Sequence, residues 1–188
     1  ARGGLRDQVV ALDQLRLTGA DKAVLQASGR VDLREDGPVF DLQNNWQGLR
    51  WPLQGQPQVA SPGGELHLSG TLEEYELALE ALLQVPGQTG GKLQVSGRGS
   101  TEFIELARLH LALLDGNLDG HARVAWQPEV TGSVELNGSG LDPSVLLPDL
   151  PGKLQLEVRA QGGMKDGAAA ARIDAFSLSG SLRDQPLE

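Results

Sequence analysis

A five-residue phrase recurs along this chain: an apolar residue, any residue, a second apolar residue, a small or polar residue, and a glycine. Apolar residues two positions apart lie on the same face of a β-strand. A glycine then ends or bends the strand, because it adopts a positive φ at little cost. The phrase predicts a repeated β-strand with one hydrated face and one apolar face. It occurs at Leu15–Gly19, Leu25–Gly29, Leu66–Gly70, Leu93–Gly97, Val134–Gly138, Val158–Gly162 and Phe176–Gly180.

The alternation is clearest between Lys153 and Gln161, where every second residue is apolar. In this stretch Leu154, Leu156 and Val158 are expected on one face, with polar residues between them. Because such strands follow one another with short connections, we expect an all-β fold of about a dozen strands in a long antiparallel meander. The same reading applies to 23–33, 49–53, 66–72, 93–97, 118–126 and 130–136.

Two further stretches give conflicting signals. Tyr75 to Leu83 alternates in hydropathy but contains strong helix formers, and Glu105 to Asp115 has the same conflict. In the second stretch Leu106 and Leu114 fall out of step with the alternation. We follow the period and predict strands in both.

Three interruptions divide the predicted strands. Residues 52–64 are rich in Gln, Pro and Gly and are predicted to form a surface loop, and 85–91 is predicted to connect two strands. Residues 141–151 are predicted to hold one short helical turn. Asp142 would cap it, Pro143 would be its first residue and Pro148 would end it.

Composition limits the function classes. The 188 residues suit one domain, 1–188, and the chain termini suggest a segment of a longer protein. A net charge of −9 argues against nucleic acid and anionic membrane surfaces as partners. The absence of cysteine excludes disulfides and thiolate metal sites, and no apolar run is long enough for a transmembrane helix.

The apolar positions are mostly Leu, Val and Ala, since the chain has only three Trp, three Phe and one Tyr. A tight β-sandwich usually fills its core with some large rings. The aliphatic stripe therefore predicts either an ordinary packed core or a smooth apolar surface that holds something else.

One segment matches the first half of a calcium-binding loop, Asp115-Gly-Asn-Leu-Asp-Gly120. The full loop needs a bidentate glutamate at its twelfth position, which here is Trp126. Strands, not helices, are predicted on both sides. We therefore expect Asp115, Asn117 and Asp119 to form only a turn.

Other candidate chemistry is weak. His67, His110 and His121 occupy polar strand positions without a metal-ligand spacing, and the pairs Glu35-Asp36 and Glu73-Glu74 lie beside turns. The chain contains no phosphate-binding glycine loop and no nucleophile motif. We predict that it is not an enzyme and that it uses no metal or cofactor.

Three stretches resemble the TamB family, the AsmA-like envelope proteins of Gram-negative bacteria. They are 46–53 (WQGLRWPL) with 66–75 (LHLSGTLEEY), 118–128 (LDGHARVAWQP), and 141–154 (LDPSVLLPDLPGKL). The first 45 residues show only the general strand phrase. The order of the three stretches along one chain makes the resemblance fairly specific.

The resemblance implies a sheet curled into an open, taco-like groove with an aliphatic interior. It also implies a parent protein that is anchored in the inner membrane, crosses the periplasm and works with the outer-membrane protein TamA. The implied activity is conduction of phospholipid acyl chains between the membranes, together with autotransporter assembly, and this chain would be an internal segment. The residues expected to line the groove are Leu66, Leu68, Leu77, Leu79, Leu93, Val95, Leu109, Leu111, Val124, Trp126, Val134, Leu136, Leu154, Leu156, Val158, Phe176 and Leu178.

A second function class stays open. A scaffold that holds nascent outer-membrane β-strands by pairing with exposed strand edges would have the same repeated strands. It would use the backbone edges and not the apolar face, so the position of bound lipid separates the two hypotheses.

Overall fold

The computed structural model describes residues 2–6, 8–19, 22–33, 37–52, 59–84, 90–145, 149–165, 168–183 and 185–187. These residues are almost entirely β-strand, as the alternation predicts. The strands are β1 (Arg2–Arg6), β2 (Val9–Thr18), β3 (Val24–Asp32), β4 (Val39–Trp51), β5 (Val59–Thr71), β6 (Tyr75–Leu83), β7 (Gly91–Gly99), β8 (Phe103–Leu113), β9 (Gly116–Ala125), β10 (Val130–Leu141), β11 (Gly152–Lys165), β12 (Ala168–Leu182) and β13 (Gln185–Leu187).

The strands form one open antiparallel sheet in strict chain order, from β1 to β13. Each strand pairs only with its neighbours in sequence, and among the described residues the two outer strands do not pair with each other. The predicted meander is therefore confirmed, and the sheet is curled but not closed.

Bulges interrupt the register at several points and help to bend the sheet. One lies between Leu106 and Leu109, where β8 carries one extra residue relative to β9. This bulge explains why Leu106 is out of step in the sequence. Leu114 is out of step for another reason: it and Asp115 have positive φ values of 54° and 55° in the turn between β8 and β9.

The hairpin from β5 to β6 requires a glycine. Gly70 has a φ of +126°, and a Cβ at this position would lie 2.8 Å from Tyr75 Cα on the neighbouring strand. Real Cβ atoms do not approach backbone atoms so closely, and side-chain-bearing residues rarely adopt this φ. The glycine at the end of the recurring phrase thus lets two strands come close together.

The structure differs from the predicted loop at 52–64, because β5 already begins at Val59. Ala60 bridges to Gln84, which ties this glutamine- and proline-rich stretch to the end of β6. Residues 53–58 lie outside the described part of the chain, as do 85–89 of the predicted connection.

A 3₁₀ turn occupies Pro143–Val145, inside the predicted segment. The Ser144 backbone N–H donates to Asp142 Oδ1 at 2.8 Å, so Asp142 caps the turn as expected. A hydrogen bond from the Ser144 side chain, followed by this bond from its backbone N–H, lowers the pKa of Asp142. The predicted stop at Pro148 lies outside the described residues.

The described residues contain no conventional core. Ala81 is the one apolar residue that is buried, at 6% exposure, and none of the described large side chains is fully buried. The chain exposes 12718 Å² of surface, whereas a compact protein of 19.9 kDa would expose about 8,700 Å². A packed sandwich core is thus excluded for this part of the chain, because one face of the sheet has no second layer.

Candidate functional site: the apolar face of the sheet

Cross-strand register carries one apolar face from β2 to β12, because directly opposed residues in an antiparallel pair lie on the same side. Leu66 pairs with Leu79 and Leu79 with Val95, which in turn pairs with Leu109. Farther along, Leu136 pairs with Val158. We refer to this continuous surface as the apolar face.

The predicted lining residues that belong to strands lie on the apolar face, and Trp126 is the one predicted residue that register does not place. Each of the others occupies a strand position that register connects to this side of the sheet. Trp126 follows the end of β9, and its indole N–H donates to the Thr101 carbonyl at the sheet margin. Whether lipid contacts any of these residues stays a prediction.

The sequence reading missed the start of the apolar face. Residues of β2, β3 and β4 continue it toward β1, although the family resemblance began only at Trp46. The recurring phrase in the first 45 residues was the available signal. The additional residues, placed by register, include Leu12, Leu15, Leu17, Leu25, Val31, Phe40 and Leu42.

The apolar face has no covering layer: most of its residues are half-buried, and several are exposed. Phe176 and Ile173 on β12 are 65% and 67% exposed, and Val124 and Met164 are also exposed. Soluble proteins rarely leave large contiguous apolar surfaces uncovered unless these surfaces bind something. The apolar face is therefore the candidate site of this chain.

Glycines let the aromatic rings of the apolar face lie flat. Trp46 is paired with Gly64, and Tyr75 with Gly99. A Cβ at Gly64 would overlap the Trp46 ring, and a Cβ at Gly99 would overlap the Tyr75 ring. The rings therefore occupy the space that side chains would fill, and they lie against the sheet.

Between β9 and β12 the apolar face deepens into a concavity of about 550 Å³. Its lining is mainly apolar, and its floor is built from small residues such as Gly132, Ala160 and Gly162. Because these residues have small or no side chains, they leave room for the concavity.

The opposite face carries cross-strand charge pairs. Lys92 Nζ lies 2.9 Å from Glu80 Oε2, and Arg123 Nη1 lies 3.0 Å from Glu105 Oε2. The hydrogen bond from Lys92, followed by that from Gln94, lowers the pKa of Glu80. Exposed pairs of this kind add little stability. Because their charged groups need water, we refer to this side of the sheet as the hydrated face.

All three histidines lie on this hydrated face, as predicted. His67 Nε2 is 2.8 Å from Asp41 Oδ1, and His110 Nδ1 is 2.6 Å from Asp119 Oδ1. His121 Nε2 lies 3.9 Å from a Glu135 oxygen. The carboxylate partners of the histidines could not be predicted from spacing along the sequence, because each partner lies on a neighbouring strand.

The segment that resembles half of a calcium-binding loop is not a loop in the structure. Only Asp115 lies in the turn, whereas Asn117 and Asp119 belong to β9, and Asp119 is next to His110. The expectation that all three form a turn is therefore wrong, because β9 begins at Gly116. Within the described residues, no group of three or more His, Asp or Glu side chains could hold a metal ion.

We expect calorimetry to detect no calcium binding at micromolar concentrations. An extended strand separates alternate oxygens and cannot wrap them around one ion, and the closing glutamate is replaced by Trp126. The control is Asp119→Ala, which should leave the titration unchanged. Micromolar binding that this substitution abolishes would contradict the expectation.

Comparison with known proteins identifies the family of this chain. The family model described as "TamB, N-terminal domain" matches residues 3–188. The chain belongs to the TamB family. Members of this family are components of the translocation and assembly module in the Gram-negative envelope and are associated with TamA. No solved structure matches the chain.

The match to the TamB N-terminal domain includes residues 3–45, which the three resembling stretches did not reach. The predicted internal position of this segment in its parent stays a prediction. Among the described residues of this TamB domain, no helix is long and apolar enough to cross a bilayer.

Proposed function

We propose that this TamB-family segment conducts phospholipid between the inner and outer membranes through the periplasm, along its apolar face. The observation that carries the proposal is the continuity of that face over strands β2 to β12 without a covering layer. The proposal needs no catalytic residue, metal or cofactor.

The physical argument rests on the cost of moving acyl chains through water. Each methylene transferred into water costs about 0.8 kcal/mol, so a 16-carbon chain costs on the order of 12 kcal/mol. A continuous apolar face lowers this cost at every point along the path. Because successive strands present similar aliphatic residues, a chain can slide without breaking specific contacts at each step.

The test is site-specific photo-crosslinking in the full-length protein in cells. A photoreactive residue at Leu156, on the apolar face of β11, should capture phospholipid. The matched control is Glu157, the next residue, which pairs with Asn137 and Ser177 on the hydrated face. Equal lipid capture at both positions, or none at Leu156, would contradict conduction along this face.

A second candidate function is a scaffold for nascent outer-membrane and autotransporter strands. It is favoured by the edge of β12, because β13 pairs only with Gly180, Ser181 and Leu182. In the described part of the chain, the backbone from Ala168 to Ser179 is therefore unpaired on that side. Photoreactive residues on this edge that capture protein, with no lipid captured at Leu156, would favour the scaffold.

A further inference from the structure

One polar side chain interrupts the middle of the apolar face. Asn44 lies near the centre of β4 and is paired with Ala27 on β3 and Leu66 on β5. Along its own strand, Leu42 and Trp46 flank it on the same side. The amide is therefore surrounded by apolar residues in both directions.

The Asn44 amide has no hydrogen-bond partner among the described residues, although it is half-buried. The nearby Trp46 indole does have a partner, since its N–H donates to Ser61 Oγ at 2.8 Å. Asparagine is also disfavoured in strands, so neither local propensity nor a contact within the fold explains this residue. Such departures from local preference are concentrated at functional positions.

We propose that Asn44 is a positioning residue that donates a hydrogen bond to an ester carbonyl of a phospholipid on the apolar face. This assignment rests on the proposed conduction of lipid. When a lipid covers this part of β4, the amide loses water and needs a new acceptor. An acyl chain offers none, whereas the ester at the head of that chain offers a carbonyl oxygen.

A neutral acceptor fits better than the lipid phosphate. A buried phosphate calls for a cationic partner, typically arginine or lysine. The side chains that register places around Asn44 are Ala27, Leu42, Trp46 and Leu66, none of which is charged. The ester carbonyl therefore matches the chemistry of this position.

The position also suits an acyl chain that begins at Asn44. From β4 to β8, about 19 Å at the usual strand spacing, the central positions of the apolar face are leucine and valine. They provide an uninterrupted surface for the hydrocarbon that follows the ester, and they are Leu66, Leu68, Leu77, Leu79, Leu93, Val95, Leu109 and Leu111.

The experiment compares two phosphatidylcholines with the same chains and headgroup, one ester-linked and one ether-linked, for binding to the purified full-length protein. The ether lipid lacks the carbonyl oxygens. We expect the native protein to bind the ester lipid about three- to tenfold more tightly, the range of one net hydrogen bond. Asn44→Ala should abolish this preference, and Asn44→Gln should restore part of it.

Asn45→Ala is the matched control, because Asn45 pairs with Gln26 and Glu65 on the hydrated face and should leave the preference at its native value. A preference that persists in Asn44→Ala, or that is absent in the native protein while both lipids bind, would overturn the role of Asn44 alone. If neither lipid binds the native protein, conduction itself is overturned, and the assignment with it. Asn44→Leu should fold at least as well as the native protein, so misfolding cannot account for a lost preference.

Discussion

Replacing Leu156 by arginine is expected to stop the proposed lipid transport while the protein stays folded. Leu156 pairs with Gly138 and Leu178 on the apolar face, and no second layer covers it. The arginine stem can therefore lie along the sheet with its guanidinium in water, at a stability cost of about 1 kcal/mol. The charge would nevertheless interrupt the apolar path of every acyl chain that passes β11.

The measurements are the free energy of unfolding of the purified protein and phospholipid transfer by the full-length protein. Gln155→Arg is the matched control, since Gln155 faces the hydrated side of the same strand and pairs with Ser179. It should preserve both quantities. Loss of several kcal/mol in Leu156→Arg would indicate a packed core, in which a charge cannot be accommodated. Normal transfer by a folded Leu156→Arg protein would exclude this strand from the lipid path.

Gly99→Ala is expected to destabilise the sheet by about 1–3 kcal/mol, the usual cost of overpacking. Its new Cβ would occupy the space of the Tyr75 ring, which would have to leave the sheet and project from the apolar face. The effect should therefore depend on Tyr75. In a Tyr75→Ala background the same glycine substitution should cost little, which a double-mutant cycle measures as coupling energy.

Gly132→Ala is the control for the glycine substitution. Gly132 also lies on the apolar face, but a Cβ there would be 3.6 Å from the nearest atom, an ordinary contact. This substitution should be neutral or slightly stabilising, because alanine orders the unfolded chain more than glycine does. Equal destabilisation by both substitutions would show that backbone freedom, and not the ring, explains the role of Gly99.

Period-2 hydropathy predicted most of this fold, because one face of each strand is hydrated and the other is not. The pattern correctly favoured a strand at Tyr75 to Leu83, where residue propensity favoured a helix. It failed to place the start of β5 at Val59, since Gln, Pro and Gly weaken the signal of a strand that is held by long-range pairing.

The apolar face from β5 onward was predicted residue by residue, but its start on β2 to β4 and the environment of its members were not. Alternation assigns Leu156 and Val158 to one side, yet it cannot show whether a second layer covers them. The partners of Asn44 and Tyr75 depend on the register between neighbouring strands, which the alternation within one strand does not specify. The recess that Gly99 provides for a ring is for this reason invisible in the sequence.

Each strand pairs only with its neighbours in sequence, and this topology affects how the chain folds. Each hairpin closes a short loop, so the entropy lost at each step is small and no distant segment must be found first. Stability then approximates a sum of terms from adjacent strands, as in repeat proteins. Amide hydrogen exchange should accordingly be slowest near β6 to β8 and faster toward β1 and β13. A growing chain could fold strand by strand before its synthesis is complete.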